Sequence, residues 1–280
     1  MKYFCTPPEK CDLCMTDRGK TYWDRVGDSW DICSQRLWRI HSDTVNRALL
    51  DRWLPEGRVE SLLKTDLFDE MCSDGLYPFL KSCTRNFVGI DVSPATLLIA
   101  RLRYGKLKTV AADVRRLPFA DGSFDLIVSN STLDHFESPA EIDISLTELN
   151  RVLRTGGYLF ITMDNPTNPI VALRNALSFR FLNRLGVVPY YVGATLNMQE
   201  LKLLLEGMGF EILDAQTIMH CPRVFAVALA RLLDRYATPW MQRVFLRIMM
   251  IHEVLALLPT HRLTGYFTAV RAVKRVITPG

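Results

Sequence analysis

Carboxylates recur at set points through the middle of this chain. Asp66, Asp91 and Asp113 each follow a short apolar run, and Asp134-His135 and Asp164 follow two more. One acid behind a strand says little, because it is often a helix cap. An ordered series says more. A carboxylate at the end of a second strand can accept from both hydroxyls of a ribose diol. A second acid, one crossover later, can accept from the exocyclic amine of adenine, so an adenosine would lie across the strand ends. An acidic site of this kind suits a ligand carrying a sulfonium and an ammonium, and suits the pyrophosphate of a dinucleotide poorly.

Strands must carry these residues. Val59–Lys64, Phe87–Asp91, Thr109–Asp113, Phe124–Asn130 and Tyr158–Asp164 read as five of them, with helical patterns between. Ser93-Pro94 and Ser138-Pro139 each place a capping hydroxyl before a proline at the first helical position. Asn197 and Glu200 form a capping box for a helix ending near Gly207, and Arg154–Gly157 reads as a tight connection into the fifth strand. A further strand (Phe210–Met219), two basic amphipathic helices (Arg223–Tyr236 and Pro239–Leu258) and a last strand (Tyr266–Val276) complete the pattern. The alternation predicts an α/β fold with a doubly wound, seven-stranded, mostly parallel sheet, which binds ligands at its strand carboxyl ends. Before it, Ser34–Trp53 is helical and stops at Pro55-Glu56-Gly57. The expected organisation is a helical, cysteine-containing lid segment over 1–57 and one domain over 58–280, with insertions at about 166–196 and 221–262.

The runs Phe87-Val-Gly-Ile-Asp91-Val-Ser-Pro94, Ala112-Asp113-Val-Arg-Arg-Leu-Pro118-Phe-Ala-Asp-Gly-Ser-Phe124-Asp125, Leu133-Asp134-His135-Phe136 and Leu149-Asn-Arg-Val-Leu-Arg-Thr-Gly-Gly157 resemble the small-molecule branch of the class I methyltransferases. The likeness covers roughly residues 58–220 and the final strand, and is most specific from Asp113 to Asp125. It implies S-adenosylmethionine as cofactor, with Asp91 at the ribose, Asp113 at the adenine amine, Val114 offering a backbone contact to the ring and Val92 among the cofactor-binding residues. Ser129 and Asn130 would border the methionine portion, and Asp125 is assigned to structure.

One stretch departs from that family. Where a glycine-rich turn should follow the first strand, this chain has Asp66-Leu-Phe-Asp-Glu-Met-Cys-Ser-Asp-Gly75, with a single glycine. Asp66 still lies 25 residues before Asp91, close to the family spacing for the acid facing the methionine ammonium. Either the loop approaches the ligand differently, with Lys64 or Asp66 making polar contacts, or cofactor binding is lost. The second branch leaves a non-catalytic binding or regulatory protein on the same fold. A nicotinamide-dependent dehydrogenase would need G-x-G-x-x-G after the first strand, which is absent.

Methyl transfer asks mainly for in-line proximity and exclusion of water, because the sulfonium is already a good leaving group. A hydroxyl or acidic carbon acceptor also needs a base. His135, with Asp134, stands at the end of the fourth strand and is the first choice; Asp164 is the second. His41, in the Trp-rich amino-terminal helix, reads as a satisfied surface histidine, with a lid position as the alternative. The segment 166–193, with Arg174, Phe179, Phe181, Arg184 and Tyr191, supplies aromatics for an apolar or ring-shaped acceptor and arginines for an anionic group, or is a solvated cap.

Composition sets the remaining bounds. Apolar residues make up 49% and charged residues 23%, which is ordinary for a globular chain. The net charge is +4, but from His220 onward nine basic residues face two acids, a local +7. Pairs Arg231/Arg235 and Arg243/Arg247 sit opposite apolar faces, suiting peripheral contact with an anionic membrane or lipid-like substrate, or packing on the domain or a partner. No RNA module is recognisable, so nucleic acid is not expected as a partner. Seven scattered cysteines do not form a disulfide framework. Cys5, Cys11, Cys14 and Cys33 offer only one short pair, so free thiols rather than a metal site are expected. With no basic-then-apolar start and no long uninterrupted apolar run, a cytoplasmic protein, at most peripheral at the membrane, is expected.

Overall fold

The computed structural model describes residues 22–25, 35–184, 188 and 191–275. Seven strands form one sheet: β1 (Val59–Lys64), β2 (Thr84–Asp91), β3 (Lys108–Ala111), β4 (Phe124–Asn130), β5 (Leu153–Asp164), β6 (Phe210–Ile218) and β7 (Phe267–Lys274). Their order across the sheet is β3-β2-β1-β4-β5-β7-β6. All neighbours run parallel except that β7 is antiparallel to both β5 and β6. The chain moves outward from β1 to β3 and then returns to place β4 on the other side of β1. That reversal opens a crevice above the carboxyl ends of β1 and β4.

Period-two alternation buries both faces of the sheet. Leu62, Leu126, Phe160 and Ala269 face one core, while their neighbours Leu63, Ile127, Ile161 and Val270 face the other. The first core is covered by the helix Arg36–Trp53, which buries Leu37, Val45, Leu49 and Trp53, and by the helices Arg223–Tyr236 and Pro239–Ile251. Trp53 stacks on Phe160 with ring centroids 6.1 Å apart. Gln35 gives the helix Arg36–Trp53 no side-chain cap; the distant Asp234 instead accepts from Leu37 N at 3.2 Å.

The expected caps are present. Ser93 Oγ accepts from Thr96 N, Glu141 Oε2 accepts from Ser138 N, and Asn197 and Glu200 accept reciprocally from each other's backbone. Several element boundaries differ from those expected by one to seven residues, and four of the differences bear on the site or the fold. β2 starts at Thr84, and β3 ends at Ala111, so Asp113 stands in a turn. β5 starts at Leu153, because Arg154–Gly157 runs into the strand through Gly156 at φ 76° instead of ending a separate connection. The helix from Pro239 ends at Ile251, and His252–Leu257 continues as a 3-10 helix. Cys5, Cys11, Cys14 and Cys33 lie outside the described residues. Of the others, Cys72 and Cys221 are buried free thiols and Cys83 is a partly buried one.

Candidate functional site

A cavity of about 610 Å³ opens above the carboxyl ends of the strands. Asp66, Asp91, Val92, Asp113, Val114, Asn130 and His135 all contribute to its wall. Lys64, Ser129, Asp134 and Asp164 do not.

Asp91 ends β2. Its Oδ1 accepts from Ser93 N at 2.8 Å and its Oδ2 from Leu67 N at 3.1 Å, which leaves lone pairs on both oxygens for a diol. Burial pushes its carboxyl up to about 7, against the pull of those two N–H donors. Asp66, just past β1, accepts from Phe68 N and from Thr132 Oγ1. Asp113 is gripped by Arg115, whose Nε and Nη2 each donate at 3.0 Å, and whose guanidinium also lies over the Phe136 ring. Asn130 Oδ1 accepts from Thr162 Oγ1 at 2.7 Å, and Ser131 N donates back to Thr162 Oγ1. The hydroxyl proton is therefore committed to Asn130, which leaves Nδ2 as the donor end of that amide.

Lys64 is turned away from the cavity. It is fully buried, and its ammonium donates to Glu70 Oε2 at 2.9 Å and to Asp66 O at 2.8 Å. Burial acts to lower its pKa, but Asp66, Glu70 and Asp69 outweigh that and hold it well above the usual lysine range. Glu70 Oε1 in turn accepts from Leu76 N and Tyr77 N. The glycine-poor stretch is thus a short helix, Phe68–Cys72, pinned from beneath by a buried ion pair. Lys64 shapes the loop, while Asp66, Phe68 and Asp69 of that stretch line the cavity. Ser129 is also buried away from the cavity, accepting from Thr65 Oγ1 at 3.1 Å.

His135 sits in the short 3-10 turn after β4. Its Nδ1 lies 3.0 Å from Tyr191 O. A carbonyl only accepts, so Nδ1 carries the proton and the lone pair falls on Nε2. Asp134 Oδ1 is 3.9 Å from that Nε2. The Asp134 carboxylate itself is buried, accepting from Asp164 N and Ser131 Oγ. Asp134 can therefore act on a substrate only through His135.

Asp164 is not placed as a base. Its carboxylate pairs with Arg174 and lies 3.9 Å from Arg223, so it serves as a buried counter-ion holding two arginines in the cavity wall. Arg223 also lies 4.5 Å from the Tyr266 ring centroid. His41 is buried, in contrast to the surface position read from sequence. Its Nε2 is 3.4 Å from Cys221 Sγ, and its Nδ1 has no hydrogen-bond partner among the described residues.

Among the wall residues that sequence reasoning missed, three share an unusual backbone. Gln35, Ser131 and Met219 are the non-glycine residues with left-handed φ among the described residues, and all three line this cavity. Strained backbone concentrated at one cavity marks a site that the surrounding fold over-determines. None of the three is of a type that signals such a conformation. Arg115 was missed too, although its position two residues after Asp113 was visible.

Residues 72–161 match the methyltransferase-domain family. A probable S-adenosylmethionine-dependent methyltransferase of Mycolicibacterium smegmatis is 27% identical over 156 residues, 55% of each chain. The malonyl-[acyl-carrier protein] O-methyltransferase of Legionella pneumophila is 39% identical over 82 residues, 28% of each chain. Among solved structures, a SAM-dependent methyltransferase of Thermotoga maritima superposes with a TM-score of 0.56 at 18% identity, over 91% of this chain and 99% of that one. The chain spans about half the length of the Mycolicibacterium relative. Strand order and the superposed structure give the fold of the class I methyltransferases, and residues 72–161 resemble the methyltransferase domain of relatives named for their dependence on S-adenosylmethionine. The donor set fits that cofactor, with Asp66, Asp91 and Asp113 offering acceptors to a ligand that carries hydroxyls, an amine and positive charge.

Proposed function

We propose that this protein transfers a methyl group from S-adenosylmethionine to a small, partly apolar acceptor that carries an anionic group. The layout of the cavity supports the reading. Asp113, Asp91 and Asp66 follow β3, β2 and β1 on one side of the crevice, and Asn130 and His135 follow the central β4. Arg174 and Arg223 follow β5 and β6 on the other side, among Ile170, Leu173, Leu177 and Val224. Acidic wall for a cationic cofactor, base in the middle, cationic and apolar wall for the acceptor: the order along the sheet is the order the reaction needs.

When bound, the cofactor supplies an electrophilic methyl on a good leaving group. The chain's part is to hold the two reactants in line and to exclude water. Asp91 and Asp113 would hold the adenosine, with Val92 and Val114 beside it, and Asp66 and Asn130 Nδ2 would face the methionine portion. His135 Nε2 would take the acceptor proton, with Asp134 stabilising the imidazolium at 3.9 Å. Arg174 and Arg223, oriented by Asp164, would hold the acceptor's anionic group. Residence in the cytoplasm belongs to the same reading. Among the described residues, no helix is long and apolar enough to cross a membrane.

Calorimetric titration with S-adenosylmethionine and S-adenosylhomocysteine tests the first step, followed by transfer of labelled methyl to anionic, apolar acceptors. Micromolar binding that Asp91→Ala weakens is the expected result. A folded sample that binds neither compound would replace this reading with a regulatory protein on the same fold.

A further inference from the structure

The helices Arg223–Tyr236 and Pro239–Ile251 carry far more exposed apolar surface than the rest of the molecule needs. At about 100° per residue, Phe225, Leu229, Leu232 and Tyr236 form one outward stripe on the first helix. Phe225 is 76% exposed. Ala226, Ala230 and Leu233 lie about 100° round the helix from that stripe, against the core. Val224, Ala228 and Arg231, which line the cavity, lie next around the helix from the outward stripe. The apolar surface is therefore continuous from solvent, over the rim, into the acceptor side of the cavity. On the second helix, Trp240, Met241, Ile248 and Ile251 make a matching outward stripe, with Trp240 66% exposed. Leu257, in the 3-10 helix that follows, is 84% exposed.

Each stripe is flanked by an arginine pair at i, i+4 spacing: Arg231 with Arg235, and Arg243 with Arg247. The two nearby acids are engaged inward. Asp234 takes Leu37 N and Arg36, and Glu253 takes Met219 N and His220 N. Among the described residues of this face, no acid is left to answer the arginines. An isologous contact with a second copy would set these pairs against themselves, because the same patch appears on both sides of such an interface. Apolar residues flanked by cations match the boundary between lipid headgroups and acyl chains.

We propose that the face made by residues 223–258 docks on an anionic lipid bilayer, with Phe225, Trp240 and Leu257 entering the acyl boundary and the arginines meeting lipid phosphates. The apolar acceptor then reaches the cavity directly from the membrane along the rim of Val224 and Ala228. This rests on the proposed apolar acceptor, but docking is read without any turnover.

The test is flotation of the full chain with phosphatidylcholine vesicles, with and without phosphatidylglycerol, at low and high salt. The expected result is binding that requires phosphatidylglycerol and weakens with salt. Arg243→Gln with Arg247→Gln should lower partitioning about 30-fold, each charge contributing roughly a factor of five near an anionic surface. Phe225→Ser with Trp240→Ser should abolish it. Both double variants should bind S-adenosylhomocysteine like the parent protein, since none of the four residues lines the cavity. Absence of vesicle binding, binding indifferent to these substitutions, or a dimer in sedimentation that Phe225→Ser disperses would each overturn the proposal. Cofactor binding without vesicle binding would remove the docking and leave the methyl-transfer reading; the reverse would remove methyl transfer and leave the docking.

Discussion

Leu67 fills the space over Gly89: a Cβ at Gly89 would lie 2.7 Å from Leu67 Cδ2. The loop after β1 carries leucine, phenylalanine and acids where the family carries glycines, and the room for that bulk is made on the neighbouring strand. Leu67 is fully buried, and its N–H reaches Asp91, so this packing also sets the position of the Asp91 carboxylate.

Gly89→Ala should accordingly destabilise the protein by about 1–3 kcal/mol, the cost of overpacking a filled core site. Leu67→Ala leaves a cavity of its own. The double variant should be more stable than the sum of the two losses, because each change relieves the other. Strictly additive losses in urea denaturation would show that the two side-chain positions do not compete for space.

The pair Lys64–Glu70 makes a second demand on the same loop. Both side chains are fully buried, so removing one charge strands the other. Lys64→Met or Glu70→Gln should each cost about 3–5 kcal/mol. Losses below 1 kcal/mol in chemical denaturation would mean that water reaches the pair.

The sheet and the acids at its edge were legible because each rests on local rules. Period-two alternation marks the strands, and Ser-Pro marks the helix starts, so Asp91, Asp113 and His135 fall at predictable ends. The loop after β1 was not legible, because the glycine that permits it lies on β2, and because Lys64 looks the same whether it faces ligand or core. Asp164 was misread for a related reason. Its partners Arg174 and Arg223 are 10 and 59 residues away in sequence, so only the folded chain shows a counter-ion where the strand-end rule suggested a base.

Cofactor affinity should depend on pH through Asp91. With its carboxyl pushed up to about 7, the ligand-free protein must release a proton there before the carboxylate can accept two hydroxyls. Affinity should therefore fall as pH drops below about 7, and Asp91→Asn should flatten the profile while weakening binding by about 1.5–3 kcal/mol. The sign for stability is the opposite. The folded state holds this proton up to about 7 and the unfolded chain only to about 3.9, so this group makes the ligand-free protein less stable as pH rises between them. Calorimetry across that range checks both. An affinity that does not change with pH would place the ionised carboxylate outside the binding step.

His41 carries the reverse linkage. Burial first, and His252 second, hold its pKa down to about 4. Between about 6.5 and 4 the unfolded chain binds a proton that the folded chain refuses, so this histidine makes the protein less stable as pH falls through that window. His41→Gln should reduce the acid sensitivity of the thermal midpoint. An unchanged slope would mean that the imidazole is already solvated in the folded state.

In the proposed reaction the base is His135. Its Nδ1 is committed to Tyr191 O, so Nε2 is the atom able to take a proton, and Asp134 lies near that atom without reaching the cavity. His135→Gln should lower kcat about 10²–10⁴-fold while leaving the affinity for S-adenosylhomocysteine unchanged, because the groups proposed to hold the adenosine lie on the far side of β4. Asp134→Asn should act through the histidine, lowering kcat by less and moving the acidic limb of the pH–rate profile. An acceptor that already presents a free amine or carboxylate needs no base, so retention of full kcat in His135→Gln would assign the acceptor to that chemistry. Loss of cofactor affinity in the same variant would instead make His135 a binding residue and return the proton to solvent.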